Sequence, residues 1–232
     1  REKSGGEKEM INLREKYNIP RNAIITVAGT VGIGKSTMTN AVADALNFRT
    51  SLEKVDTNPY LEKFYADFKA WSFHLQMYFL AERFKEQKRM FEYGGGFVQD
   101  RSIYEDTDIF AKMHYEKGTM DPVDYKTYTE LFDAMVKTPY FPHPDVLIYL
   151  DGPFETIVER IQERGRPMEQ ETPLSYWEEM YKRYSAWINR FNACPVMRID
   201  ITEYDLKERP EEVEIIIERI GHFIQESSKY RP

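Results

Sequence analysis

Gly29-Thr30-Val31-Gly32-Ile33-Gly34-Lys35-Ser36 follows the pattern Gly, four residues, Gly, Lys, Ser, and its flanks decide how it is read. In front of it, residues 23–28 are apolar and largely β-branched; behind it, 37–46 has helical composition. A glycine-rich turn from strand to helix is the context in which this pattern holds nucleoside triphosphates. The glycines let backbone N–H groups turn inward around phosphate oxygens, and the following helix adds the positive end of its dipole. Lys35 is then placed for the β- and γ-phosphates and Ser36 for Mg²⁺. Gly29, Thr30, Val31, Gly32, Ile33, Gly34 and Thr37 complete the triphosphate-binding candidates of this stretch.

Working outward, β-like runs occur at 24–28, 49–52, 97–99, 146–150 and 196–201, with helical stretches between them. This alternation predicts an α/β, P-loop NTPase-type three-layer fold on a five-stranded parallel sheet, with ligands at the carboxyl ends of strands. A long helix is expected over 65–93, stopped by Gly94-Gly95-Gly96. Another is expected over 102–117, opened by Ser102 and Glu105 at capping-box spacing. Pro139, Pro142 and Pro144 break the chain before the fourth strand. The length suits one domain, 21–232, behind a flexible extension over 1–20. Residues 1–9 are charged, lack an apolar period and read as foreign to the natural chain, with Met10 as the candidate start.

With 41% hydrophobic and 31% charged residues, the composition is that of a soluble globular protein. A formal net charge of −7 argues against a nucleic acid polymer as partner. No apolar run reaches membrane-spanning length and no secretory leader is visible, so no membrane partner is expected. Cys194, the single cysteine, has no partner for an internal disulfide. Beside Pro195 it reads as a packed small residue, and the expected setting is a reducing cytoplasm.

A phosphate loop does not by itself separate kinases from GTPases and motor ATPases, so the acceptor side must come from other residues. Glu53 follows the second strand, where a carboxylate can align an attacking hydroxyl and take its proton. Alone, that position suits a solvated loop acid equally well. Asp100-Arg101 closes the third strand. Beside a phosphate loop, Arg101 is placed to orient Glu53 and Asp100 to lie near the metal. Arg160, Arg164 and Arg166 precede or flank the breakers Gly165 and Pro167, as an arginine-rich lid would. Spacing alone fits a solvated charged helix better. Gln76 and Arg83 lie seven apart and share a helix face, where a glutamine amide both donates to and accepts from a base edge. Trp71, Phe73, Tyr78, Phe79 and Phe84 offer stacking walls or core, and His74 reads as structural.

Together with Asn58-Pro59-Tyr60-Leu61-Glu62-Lys63-Phe64-Tyr65, Trp71-Ser72-Phe73-His74-Leu75-Gln76, Asp100-Arg101-Ser102-Ile103-Tyr104-Glu105-Asp106 and Arg164-Gly165-Arg166, the chain resembles the deoxyribonucleoside kinases, especially the bacterial deoxyadenosine/deoxycytidine kinases. The resemblance implies Glu53 as general base for the 5′-hydroxyl, with Arg101 its partner. It implies Gln76 as base reader, with Arg83 and Asp106 at the polar end of the base pocket. Tyr65 and Glu169 match the pair on the sugar 3′-hydroxyl, and Arg160, Arg164 and Arg166 match lid arginines. The segment 200–205, with Asp200, Tyr204 and Asp205, resembles the loop against the donor base. Proline at 167 and aspartate at 100 depart from some relatives. A homodimer, ATP with Mg²⁺, and deoxyadenosine or deoxycytidine as acceptor follow from the same resemblance.

Two rivals are weaker. A nucleotide-dependent switch needs a guanine-reading Asn-Lys-x-Asp string, and the sequence has none. A nucleoside monophosphate kinase must hold an acceptor phosphate, which Glu53 would repel at short range. Deoxyguanosine and thymidine stay open as acceptors.

Overall fold

The computed structural model describes residues 12–138 and 141–228. Residues 1–11, with the expected start at Met10, lie outside the described residues, as do Pro139 and 229–232. Five strands form: β1 Ile24–Ala28, β2 Arg49–Ser51, β3 Phe97–Asp100, β4 Val146–Asp151 and β5 Val196–Asp200. All pair in parallel, in the order β2-β3-β1-β4-β5. Each agrees within a residue or so with its expected run. Every residue of β1 and β3 is buried. Side chains of a strand alternate between two faces, so burial of all of them means that helices cover both.

The chain leaves β1, visits the β2 edge, returns through β3 and then crosses to β4 on the opposite side. β1 therefore sits where the strand order reverses, and a crevice opens beyond its carboxyl end. The loop at 29–34 leads from that end into α2, Lys35–Leu46. Val42, Ala43 and Leu46 of α2 join Ile25, Val27 and Val98 in the main core.

The expected extension over 1–20 is corrected for the part that is described. Asn12 caps α1, Leu13–Lys16, and Ile19 is buried. Lys16 and Tyr17 both hydrogen-bond Glu214 of α11, Val213–Ser228. Gly221 of that helix lies so close to Tyr17 that a Cβ would stand 2.4 Å from its carbonyl oxygen. The domain thus begins before residue 21, because Ile19 and Tyr17 supply apolar cover that α11 needs.

The expected helix over 65–93 is two helices, α3 Leu61–Ala66 and α4 Phe68–Tyr93. Asp67 turns extended between them, and its carboxylate accepts the Ala70 N–H as N-cap of α4. Gly94, at φ +58, ends α4 as expected. The capping box at Ser102 and Glu105 is present at the start of α5, Ile103–Glu105. The chain then widens into a π-helical stretch, Asp106–Ala111, before α6, Lys112–Glu116. α7, Pro122–Val136, packs on α4. After β4 come α8 Phe154–Arg164, α9 Pro167–Gln170 and α10 Leu174–Arg190.

Candidate active site

One cavity of about 980 Å³ runs from the loop after β1 to the inner faces of α3 and α4. Its volume lies at the top of the range for small-molecule sites, about 300–1,000 Å³, enough for two ligands end to end. At one end, Gly34 takes φ +104 as N-cap of α2 and brings no side chain to the helix start. The first N–H groups of α2 therefore face the cavity without a capping oxygen, which suits phosphate. Gly32, at φ +81, presses against α8: a Cβ there would lie 2.6 Å from Ile161 Cγ1. Val31, Gly32, Ile33, Gly34, Lys35, Ser36 and Thr37 line this end. Gly29 and Thr30 stand behind it, the Gly29 N–H donating to Glu105 and the Thr30 carbonyl accepting from Lys35 Nζ at 3.1 Å.

Lys35 is buried, and its ammonium is pushed down to about 8, first by burial and then by the Arg101 charge; Asp100, Glu53 and Glu105 oppose both. Ser36 Oγ donates to Asp100 Oδ2 at 2.8 Å, whereas Asp100 Oδ1 is buried with no hydrogen-bond partner. Two hard oxygens beside a phosphate loop fit Mg²⁺, which completes its shell from phosphate and water. No group of three or more His, Cys, Asp or Glu among the described residues forms a protein-only metal cage.

A charge cluster follows at the ends of β2 and β3. Arg101 Nε lies 3.1 Å from Glu53 Oε1, and Arg83 Nη2 lies 3.1 Å from the same oxygen. Arg83 Nε donates to Asp106 at 3.0 Å and Nη1 to the Asp100 carbonyl at 3.3 Å. Burial works to raise the Glu53 carboxyl, but Arg101, Arg83 and Lys35 together overcome it and hold it at about 2. At Asp106 the balance reverses: burial outweighs Arg83 and Arg101, and the carboxyl is pushed up to about 6. Arg101 itself sits at φ +71, a left-handed backbone uncommon outside glycine, while its N–H extends the ladder to the Val27 carbonyl. Such a conformation costs about 1–3 kcal/mol and persists only where the surroundings fix it.

Glu53, Gln76, Arg101, Asp106 and Tyr65 line the cavity. Gln76 is 1% exposed, and its Oε1 has no partner in the protein. A buried amide oxygen left open toward a cavity is a group aimed at a ligand. Arg83 is not on the wall; it lies behind Glu53 and Asp106 and ties them together. Of the expected aromatic walls only Phe79 faces the cavity, joined by Phe110 from the π-helical stretch. Phe73 and Phe84 pack on the core, and His74 sits among the rings of Tyr60, Trp71 and Phe73.

The three arginines after β4 are divided between two partners. Arg160 Nη1 donates to the Ile33 carbonyl at 2.7 Å, bracing the phosphate loop. Arg164 clamps Glu169 through Nε and Nη2, at 3.2 and 2.7 Å, and Arg166 Nη1 reaches the same carboxylate at 3.4 Å. Glu169 is buried beside Tyr65, whose hydroxyl is pushed well up by burial and then by the Glu169 charge. Pro167 serves as the first residue of α9, a position where its missing N–H costs nothing.

Of the segment 200–205 expected against a donor base, Tyr204 and Asp205 line the cavity but Asp200 does not. The Asp200 carboxylate is spent on its own turn, accepting from Thr202 N–H at 2.8 Å and Oγ1 at 2.7 Å. Thr202, Lys207 and Arg209 take its place on the wall. They stand in a loop whose course no local pattern marks.

The deoxynucleoside kinase profile matches residues 25–225. A deoxyadenosine/deoxycytidine kinase of Bacillus subtilis strain 168 is 65% identical over 215 residues, 93% of this chain and 99% of that protein. A deoxyadenosine kinase of Dictyostelium discoideum is 39% identical over 181 residues, 78% of this chain and 73% of that protein. Among solved structures, a deoxyadenosine kinase from M. mycoides with the products dCMP and a flexible dCDP bound matches with a TM-score of 0.72 at 31% identity. That match covers 84% of this chain and 98% of the other.

Proposed function

The chain belongs to the deoxynucleoside kinase family, and on that premise we propose that it transfers the γ-phosphoryl group of ATP to the 5′-hydroxyl of deoxyadenosine, with deoxycytidine also accepted. The observation that carries this reading is a single cavity with a phosphate loop at one end, Glu53 and Arg101 in the middle, and the open amide of Gln76 beyond them. In the reaction the 5′-oxygen bonds to the γ-phosphorus, the bond from that phosphorus to the β-bridging oxygen breaks, and the hydroxyl proton passes to Glu53. Lys35 neutralises charge on the transferring group, and Arg164 and Arg166 join it once they leave Glu169. Ser36 and Asp100 would hold Mg²⁺, which would supply charge neutralisation for the donor phosphates. Catalysis of this type is mainly placement and electrostatics, and the cluster around Glu53 supplies both.

Adenine and cytosine each present an amino group beside a bare ring nitrogen, the mirror of a glutamine amide. The name of the B. subtilis relative gives both acceptors and that of the D. discoideum relative gives deoxyadenosine. Tyr65 and Glu169 would take the 3′-hydroxyl, and Tyr204 and Asp205 would border the donor base. A homodimer belongs to the same reading, supported by exposed Val123 and Leu131 on α7 and Phe91 on the neighbouring α4. Among the described residues no helix is long and apolar enough to cross a membrane. A cytoplasmic setting belongs to the same proposal, supported by a sequence with a single cysteine and no disulfide framework.

The test is phosphoryl transfer from ATP-Mg²⁺ to each of the four deoxynucleosides, followed by separation of the 5′-monophosphates. Product from deoxyadenosine and deoxycytidine is expected; product from only deoxyguanosine or thymidine would overturn the base assignment. Gln76→Leu should raise KM for deoxyadenosine by about 10- to 100-fold, the scale of losing paired hydrogen bonds to a buried polar edge. An unchanged KM removes Gln76 from the base pocket.

A further inference from the structure

We propose that Tyr184 and Glu105 are positioning residues for phosphoryl transfer, forming a buried hydrogen-bond bridge between the first amide of the phosphate loop and the guanidinium of Arg101. The proposal rests on Arg101 acting as the partner of Glu53. Glu105 is fully buried. Its Oε1 accepts from the Gly29 N–H at 3.1 Å and from the Tyr184 hydroxyl at 2.8 Å. Its Oε2 accepts from the Ser102 N–H at 2.6 Å and Oγ at 2.8 Å. An ionised carboxylate has about four acceptor sites, and all are filled.

The direction of each bond follows. A carboxylate with every site occupied by donors only accepts, so the one proton of Tyr184 is committed to Glu105. The Tyr184 oxygen is therefore left to accept, and it does so from Arg101 Nη1. Arg101 Nη1 is 3.8 Å from Glu105 Oε1, beyond hydrogen-bond reach, so Tyr184 is the link between them. The chain of contacts runs from Gly29 through Glu105, Tyr184 and Arg101 to Glu53, joining the loop after β1, α5, α10 and the end of β3.

Only Arg101 and Glu53 of these residues reach the cavity wall; Gly29, Glu105 and Tyr184 act from behind it. An ion pair with Glu53 alone would let the guanidinium move wherever that carboxylate moves. Tyr184 fixes it from the side of the fold, with the Phe110 ring 4.7 Å from the guanidinium carbon. The bridge thereby sets the distance between the donor phosphates and the acceptor hydroxyl, the quantity to which phosphoryl transfer is most sensitive.

The test is a double-mutant cycle. Tyr184→Phe keeps the ring and removes the hydroxyl; it is made in the wild-type and Arg101→Lys backgrounds, and kcat, both KM values and thermal melting are measured. In the wild-type background kcat should fall about 10- to 100-fold, the scale of a hydrogen bond to a charged group, with both KM values near wild type. In the Arg101→Lys background, where the forked guanidinium is gone, Tyr184→Phe should change kcat by less than about twofold. Equal losses in both backgrounds, a rise in KM with kcat intact, or a loss matching the unfolded fraction would each overturn the proposal. On the unmutated enzyme, NMR should find slow rotation of the Arg101 guanidinium; free rotation overturns the bridge even if Tyr184→Phe does not fold. Failure of the kinase reading is separate, because wild-type enzyme would then form no deoxynucleoside monophosphate at all.

Discussion

Glu53→Gln should lower kcat by about 10²- to 10⁴-fold, the usual scale for loss of a positioned general base. A carboxyl held at about 2 by its arginines and Lys35 is a weak base toward a resting hydroxyl. The proton therefore leaves late, when bonding to phosphorus has made the hydroxyl acidic, as a loose transition state allows. Until then the carboxylate aligns the hydroxyl and offsets the charge of Arg83 and Arg101. Glutamine keeps one acceptor oxygen but loses the charge and turns N–H groups toward two guanidinium groups. Removing one partner of such a cluster costs a few kcal/mol of stability, so melting must be followed beside turnover and rates normalised to folded enzyme. Since Glu53 is ionised well below neutrality, it contributes no acid limb near pH 6. We expect a fall in kcat/KM as pH drops through about 6, because Asp106, proposed to accept from the base amino group, gains a proton there. That limb should persist in Glu53→Gln. Normalised turnover within threefold of wild type would remove Glu53 from the base role.

Much of this architecture is legible in the amino-acid sequence. Continuous apolar, β-branched runs locate β1 and β4, because strands buried in a parallel sheet read that way, whereas β2, Arg49–Ser51, is a half-exposed edge marked mainly by its place between helical stretches. The phosphate-loop glycines declare their backbone demands directly. Glu53, Gln76 and Arg101 meet at one cavity, as their places after strands or on a shared helix face require. The misses have physical causes. Asp67 breaks the long helix as an N-cap for the Ala70 N–H; with alanine rather than Glu or Gln at N3 no capping box marks it, and the aromatic run continues across it. The π-helical stretch at Asp106–Ala111 leaves no pattern, since one wider turn shifts the apolar period by a single residue. Asp200 is lost to the cavity because the short turn ahead of it offers a nearer donor in Thr202. Glu105 is visible as half of a capping box, whereas its bonds to Gly29 and Tyr184 span 76 and 79 positions and are purely tertiary.

Lys35→Met should reduce kcat by about 10²- to 10³-fold, as for removal of one preorganised donor from a developing anion. The other cations near the phosphate loop do not stand in for it: Arg160 is held by the Ile33 carbonyl, and Arg164 and Arg166 must first leave Glu169 and then add to the charge of Lys35 rather than take its position. Lys35 has only the Thr30 carbonyl to leave. With its pKa pushed down to about 8 by burial and then by Arg101, Lys35 is partly a neutral amine near and above that pH, and the amine takes up a proton when a triphosphate arrives. The sign is fixed by linkage: bound phosphate raises the lysine pKa above its value in the empty enzyme, so above pH 8 binding takes up a proton. ATP affinity therefore weakens as pH rises through and beyond about 8. Calorimetry in two buffers of different ionisation enthalpy at pH 8.5 to 9, a window set by that shifted value of about 8, should register the uptake in wild type. Methionine keeps the length of the stem and has nothing to protonate, so both the uptake and this part of the pH slope should vanish in Lys35→Met. The same slope in the variant would place the titrating group elsewhere in the site, and unchanged turnover would deny Lys35 any part in stabilising the transferring phosphoryl group.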